Sequence, residues 1–141
     1  MRIFIDCEFN DYKGELVSMA LVSDDGDEFY EALHCDNPST WVAKHVIPIL
    51  NKEQIFFDDF QELLEEWLMK FDSVHLVADW PEDIQHFCNA LITGPGDRLK
   101  TPPLTMEVVR INCPSDMPHN ALWDARGIRN HFIKNWIDSP V

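Results

Sequence analysis

The chain has 141 residues, of which 45% are hydrophobic, and its 25 acidic and 11 basic side chains give a formal net charge of −14. This length suits one domain with a single buried core, and the hydrophobic content excludes a disordered chain. The negative charge argues against broad, nonspecific binding of duplex nucleic acid, which depends on many phosphate contacts. It does not exclude an enzyme that holds a short strand through divalent ions and base stacking.

The sequence shows no sign of membrane insertion or export. No apolar run approaches the roughly 20 residues that span a bilayer. Only three apolar residues precede Asp6 after Arg2, so we expect no signal peptide. The four cysteines are scattered without a CxxC pair, which is typical of reduced thiols rather than of a zinc site or a disulfide framework. We therefore predict a protein without a membrane segment that acts in the cytoplasm.

The first third of the chain is rich in β-forming residues. Arg2 to Phe9, Leu16 to Ser23 and Glu28 to Leu33 each have the composition of a strand. Between the last two, residues 24–27 include Gly26 and suit a hairpin turn. The sequence therefore predicts a three-stranded antiparallel meander at the start of the fold.

Helical patterns dominate the middle of the chain. Ser39 and Thr40 predict the start of a helix that Pro48 keeps short or bent. In the next segment apolar residues recur at helical spacing, with acidic residues between them on the opposite face. These apolar residues are Phe60, Leu63, Leu64, Trp67, Leu68 and Phe71.

The second half alternates strands and helices. Val74 to Ala78 is predicted as a strand, followed by a helix that ends before residues 94–96. Leu104 to Ile111 is predicted as the fifth strand, and a polar loop then leads to a last helix from about Ala121 to Trp136. The order of elements predicts a single α/β domain over residues 1–141, with a mixed sheet and helices on its faces.

Two acidic residues stand close together on the first predicted strand. Side chains alternate between the faces of a strand, so Asp6 and Glu8 point one way and Cys7 the other. Neighbouring carboxylates repel one another unless a cation lies between them, and such oxygen ligands suit Mg²⁺ or Mn²⁺. A solvated strand end is the alternative reading of the same pair.

A histidine precedes an acidic residue by five positions at the start of the last helix. His119 lies on the polar loop, and Asp124 falls in the first helical turn. Together they would supply a group that titrates near neutrality and a metal ligand. Separately, they would be a surface histidine and an acid that stabilises a helix N-terminus.

Acidic residues also follow the strand of residues 74–78. Because Pro81 is accepted in the first turn of a helix, Asp79 is predicted as the N-cap, with Glu82 completing a capping box. Asp83 then lies in the first turn of the helix, near the end of the strand. It is either an exposed acid or a further metal ligand.

Taken in order, these features resemble the DEDDh 3′→5′ exonucleases, a group that includes oligoribonuclease and ribonuclease T. The resemblance covers essentially the whole chain, and its short length is most similar to that of the stand-alone 3′-5′ exoribonucleases. In this family a D-x-E motif follows a hydrophobic strand, as Asp6 and Glu8 do here, and an H-x4-D motif corresponds to His119 and Asp124.

The second family motif is matched less closely. An Asn commonly precedes the ligand Asp of that motif by four positions. The ligand position corresponds to Asp83, so Asp79 occupies the position of the Asn. The chain therefore departs from the family pattern at one residue, and Asp79 is the alternative candidate for the ligand.

The resemblance implies a ribonuclease-H-like fold and a specific chemistry. Asp6, Glu8, Asp83 and Asp124 would bind two divalent ions, Mg²⁺ or Mn²⁺, and His119 would be the general base. Nucleoside 5′-monophosphates would be released one at a time from single-stranded RNA or DNA.

Two further expectations accompany this interpretation. Phe9 would stack on the terminal base, although packing in the core explains a phenylalanine there equally well. Dimers are common among such relatives, which makes this chain a candidate homodimer. The alternatives to an exoribonuclease are a DEDDh exonuclease that acts mainly on DNA and a catalytically silent ribonuclease-H-like interaction module.

Overall fold

A computed structural model describes residues 1–137 of the chain. The strands of this range are β1 (Arg2–Phe9), β2 (Leu16–Ser23), β3 (Glu28–Leu33), β4 (Gln54–Ile55), β5 (Val74–Ala78), β6 (Ile92–Gly94), β7 (Asp97–Arg98) and β8 (Leu104–Val108). The helices are α1 (Thr40–His45), a 3₁₀ turn (Ile47–Ile49), α2 (Phe57–Leu68), α3 (Pro81–Leu91) and α4 (Ala121–Ile137).

Six strands form one mixed sheet in the order β4-β3-β2-β1-β5-β8. Strand β1 is central, antiparallel to β2 and parallel to β5, so that Ile3 pairs with both Ser23 and Leu76. Strand β8 pairs with β5 in the parallel sense. The carboxyl ends of β1, β5 and β8 therefore lie along one edge of the sheet, which is where ligands bind in sheets of this kind.

The alternation of side chains along β1 separates two hydrophobic layers. Ile3 and Ile5 belong to the larger cluster, in which they are joined by Phe60 of α2 and Phe87 of α3. Phe4, on the opposite face, packs in a smaller cluster that includes Ile128 of α4. The helices thus cover both faces of the sheet, and the predicted α/β class is confirmed.

The predicted bounds of the first three strands are confirmed, and so is the short helix that begins after Ser39. The Ser39 hydroxyl accepts a hydrogen bond from the Val42 amide at 3.1 Å, which caps α1. Strand β8 ends at Val108 rather than at Ile111. Strands β4, β6 and β7 were not predicted, because segments of two or three residues carry no periodic pattern.

Helix α2 begins at Phe57, earlier than the apolar pattern indicated, and it ends at Leu68. The side chain of Leu63 was predicted on its apolar face but is 39% exposed. It lies at the margin of the buried stripe that Phe60, Leu64 and Trp67 form.

The prediction that Asp79 caps α3 is wrong. The N-cap residue is Trp80, which is extended and makes no capping hydrogen bond, and Pro81 occupies the first helical position. Glu82 does not complete a capping box but accepts a hydrogen bond from the Trp80 indole nitrogen at 3.1 Å. The carboxylate of Asp79 is therefore not used by the helix terminus.

Among the described residues, no helix combines the length and the apolar character needed to cross a membrane.

Candidate metal centre

Asp6 and Glu8 lie on the face of β1 that α4 covers, as strand alternation predicts, whereas Cys7 packs in the core on the other face. Asp124 approaches them from the first turn of α4. One carboxylate oxygen from each of these three acids lies within 4.8 Å of the other two. The first strand and the last helix thus supply a three-carboxylate group, which we name the Glu8 set.

A second group meets the first at Asp6. Oxygens of Asp6, Asp79 and Asp83 also lie within 4.8 Å of one another, and we name this group the Asp79 set. Asp79 follows the last residue of β5, and Asp83 lies in the first turn of α3. The structure therefore brings both candidates for the second motif to Asp6, and Asp6 is common to the two sets.

Asp83 is held in place by the backbone of the first strand. Its side chain is buried, and Oδ1 accepts a hydrogen bond from the Cys7 amide at 3.2 Å. The other oxygen, Oδ2, is buried without a hydrogen-bond partner, and so is Oδ2 of Asp6. A buried carboxylate oxygen without a partner is costly, because it has lost its hydration and gained nothing in return.

Burial and mutual repulsion disfavour the ionised form of these acids. Burial, followed by the charge of Asp83, holds the pKa of Asp6 well above its usual range. Burial raises the pKa of Glu8 to about 8, with Asp124 as the next cause, and it raises the pKa of Asp83 to about 8, with Asp79 as the next cause. Without a cation, the cluster therefore retains protons near neutral pH.

The chemistry of these residues fits divalent cations. Carboxylate oxygens are the hard ligands that Mg²⁺ and Mn²⁺ prefer, and a cation would supply the missing partner for Oδ2 of Asp6 and of Asp83. A bound cation would also offset the cost of ionising these buried acids, because a nearby positive charge favours the ionised carboxylate.

His119 is placed beside Asp124 through its backbone. Its amide donates a hydrogen bond to Asp124 Oδ2 at 3.2 Å. His119 has a φ of 72°, in the left-handed region, and its exposed ring makes an edge contact with Trp41 at a centroid distance of 4.9 Å. The structure thus brings His119 to the carboxylates, with its ring open to solvent.

The loop that carries Ser115 and His119 rests directly on α4 at Gly127. A Cβ at residue 127 would lie 2.4 Å from the carbonyl oxygen of Pro114, so only glycine permits this approach. The contribution of Gly127 was not predicted from the sequence. A glycine in the middle of a long helix was the available signal, because it weakens a helix unless close packing requires it.

Phe9 directly follows Glu8 in the sequence. Its ring stacks on that of His86 with centroids 5.1 Å apart and planes inclined by 28°, and it also packs against the larger core cluster. A groove of about 850 Å³ opens beside His86, and its lining includes the aromatic rings of Phe56 and Phe57. Both Phe56 and Phe57 are exposed, so this aromatic surface is open to a ligand.

The arginines of α4 are engaged elsewhere, in agreement with their face on the helix. Arg126 binds the carboxylate of Glu28, with Nη2 at 2.8 Å from Oε1. Arg129 donates to the backbone carbonyls of Ser23 and Asp24. Both therefore fasten α4 to the β2–β3 hairpin rather than contribute to the carboxylate cluster.

No family model matches the chain. Two proteins of Mycobacterium tuberculosis, from strains CDC 1551 and H37Rv, both bear the name 3′-5′ exoribonuclease. Each is 32% identical to this chain over 159 residues, and the match covers 94% of this chain and 91% of the relative. Because the match covers nearly all of this chain and of each relative, this chain belongs to the 3′-5′ exoribonuclease family.

Proposed function

We propose that the protein is a metal-dependent 3′→5′ exoribonuclease of the DEDDh type. It would be a single domain over residues 1–141 with a ribonuclease-H-like fold, and would remove nucleoside 5′-monophosphates from single-stranded 3′ ends. One observation carries the proposal: two sets of three carboxylates share Asp6, and two of their oxygens are buried without a partner.

Asp6, Glu8, Asp83 and Asp124 would hold two divalent ions, Mg²⁺ or Mn²⁺. When bound, such ions lower the pKa of a water molecule and stabilise the negative charge on the leaving 3′-oxygen. The protein's own part is to fix the carboxylates before the substrate arrives. The Cys7 amide fixes Asp83, and the His119 amide fixes Asp124.

His119 is the proposed general base. Its ring takes a proton from the attacking water while the water oxygen bonds to the terminal phosphorus and the P–O3′ bond breaks. The leaving 3′-oxygen takes a proton from solvent water, so the products are a nucleoside 5′-monophosphate and a strand with a new 3′-hydroxyl. The exposed position of the ring supports this role, because the proton can pass from it to solvent.

Single-stranded substrates suit the surface beside the site. The aromatic groove next to His86 offers rings on which unpaired bases can stack, an interaction that tolerates any base sequence. The net charge of −14 disfavours a long electrostatic contact with a duplex. Phe9 would contribute to the same base-stacking surface. The relatives' name supports RNA over DNA, and the assembled carboxylates argue against a catalytically silent module.

The test is a digestion of single-stranded RNA that is labelled at its 5′ end, with DNA of the same sequence in parallel. In the presence of Mn²⁺ or Mg²⁺ we expect a ladder that shortens one nucleotide at a time, together with nucleoside 5′-monophosphates. Excess chelator and the Asp6→Asn variant should stop the reaction. Internal cleavage, full turnover in chelator, or intact RNA beside degraded DNA would contradict the proposal.

A further inference from the structure

Asp79 is an acidic residue to which neither the helix terminus nor the proposed four-carboxylate site assigns a role. It lies at the carboxyl end of β5, and one of its oxygens is within 4.8 Å of ligand atoms from Asp6 and Asp83. It does not cap α3, and among residues 1–137 no ion pair involves it. Its carboxylate is half-buried against other negative charges.

We propose that Asp79 is a fifth metal-binding carboxylate and that the Asp79 set binds its own divalent ion. This inference rests on the proposed function, because it assigns one of the two ions to Asp6, Asp79 and Asp83. The other ion belongs to the Glu8 set, and Asp6 is shared.

The buried oxygen of Asp83 is the second observation that points to a ligand in this set. Asp83 is 1% exposed, and its Oδ1 is already committed to the Cys7 amide, whereas Oδ2 has no partner. Asp6 likewise has a buried Oδ2 without a partner. A cation bound by the Asp79 set would satisfy buried oxygens that no described protein group satisfies.

Charge supports a direct role for Asp79. Four carboxylates would balance the four positive charges of two divalent ions, whereas the cluster has five. The additional carboxylate strengthens the attraction for cations, and affinity for hard cations increases with the number of charged ligands. An Asp79→Asn substitution keeps the shape of the side chain but removes that charge, so it should weaken mainly the ion of the Asp79 set.

The test counts bound Mn²⁺ on metal-free protein, by calorimetric titration and by the electron paramagnetic resonance signal of free Mn²⁺. The wild type should bind two ions. In Asp79→Asn one ion should bind with unchanged affinity, and the other should bind at least about tenfold more weakly. Raising the Mn²⁺ concentration should then restore RNA cleavage.

Glu82→Gln is the matched control. Glu82 also contributes negative charge near Asp83, but its carboxylate bonds to the Trp80 indole and it lies in neither carboxylate set. The Glu82→Gln variant should bind both ions with wild-type affinity. If Glu82→Gln weakened the second ion as much as Asp79→Asn, general charge rather than ligation would explain the effect, and the inference would be wrong.

The remaining outcomes separate the inference from the proposed function. If Asp79→Asn bound two ions with wild-type affinity, the inference would be wrong but the proposed function would stand. The same holds if the affinity of both ions fell equally in that variant. A wild-type protein that binds no Mn²⁺ would overturn the proposed function as well. If Asp79→Asn failed to fold, Asp79→Ser, which also removes the carboxylate, would replace it, and a wild-type affinity for the second ion in Asp79→Ser would overturn the inference.

Discussion

The backbone amide of Cys7 donates a hydrogen bond to Oδ1 of Asp83 across 76 residues of sequence. This bond ties the first turn of α3 to the strand that carries Asp6 and Glu8. Because the donor is a backbone group, no substitution of the Cys7 side chain removes it except proline. The position of Asp83 is therefore set by the sheet itself.

Asp83→Asn should lower the rate of RNA cleavage by at least about 100-fold, since changes to residues that only orient the ligands of a metal already cost about 10- to 100-fold. The Asn oxygen can still accept the Cys7 amide bond, so the fold should persist. A circular dichroism melt checks the fold beside the cleavage assay. Asp72→Asn, which changes an exposed acid before β5, is the control and should behave like wild type. Normal turnover by Asp83→Asn would remove Asp83 from the ligands.

The stability of the metal-free protein should fall as the pH rises. Burial raises the pKa of Glu8 from 4.5 to about 8 and that of Asp83 from 3.8 to about 8. At pH values between the ordinary and the raised pKa of each group, the folded state binds more protons than the unfolded state. The free energy of unfolding therefore decreases as the pH rises. One pKa unit corresponds to about 1.4 kcal/mol. We therefore expect the free energy of unfolding to decrease by more than about 1 kcal/mol from about pH 5 to about pH 8.

Urea unfolding in chelator at several pH values measures this decrease. Mn²⁺ should reverse it, because the ion binds the ionised carboxylates of the native state selectively and stabilises that state. The increase in melting temperature with Mn²⁺ should therefore be larger at about pH 8 than at about pH 5. A metal-free stability that rises over this interval would show that the acids do not form one buried cluster.

His119→Asn tests the general base without disturbing the backbone. Asn tolerates the left-handed conformation that His119 adopts, and its amide can still bond Asp124. Loss of a general base should lower turnover by about 100- to 10,000-fold while Mn²⁺ affinity stays near normal. His45→Asn is the control, because His45 also contacts the Trp41 ring but lies outside the cluster. If turnover fell equally in both variants, the loss would come from disturbed packing against Trp41 rather than from a missing general base.

Gly127→Ala should impair the enzyme without altering a ligand. The new methyl group would overlap the Pro114 carbonyl, which forces the loop of Ser115 and His119 away from α4. We expect turnover to fall at least about tenfold, with a loss of about 1–3 kcal/mol of stability from overpacking.

Gly94→Ala is the control for this substitution, because its Cβ would meet nothing closer than Asp97 Oδ2 at 3.7 Å. Both activity and stability are to be measured for the two variants. Full activity in Gly127→Ala would show that the loop position does not matter for the reaction.

Periodicity was sufficient to predict the long elements of the fold. The alternation of β1 correctly placed Asp6 and Glu8 on one face, since residues two apart in a strand always share a side. The apolar spacing correctly identified α2 but misplaced Leu63, because the edge of a buried stripe depends on what packs against it. The capping pattern at Asp79 was misleading, since local sequence cannot show that Trp80 would take the N-cap position.

The relations between distant segments could not be read from the sequence. The alternative between Asp79 and Asp83 assumed that only one of them reaches Asp6, whereas the parallel pairing of β1 with β5 brings both there. The contact of His119 with Trp41 joins the last loop to the first helix, and no local pattern encodes it. The sequence identified Gly127 as a glycine within a helix, but it could not predict that the Pro114 carbonyl packs against it.

Strand β1 and helix α4 meet at the carboxylates, since Asp6 lies on β1 and Asp124 on α4. If Asp124 is a metal ligand as proposed, a polypeptide emerging from the ribosome lacks that ligand until α4 has been made and has packed on β1 and β2. The proposed exonuclease would then be inert during its own translation. The topology would thus delay RNA cleavage until folding is complete.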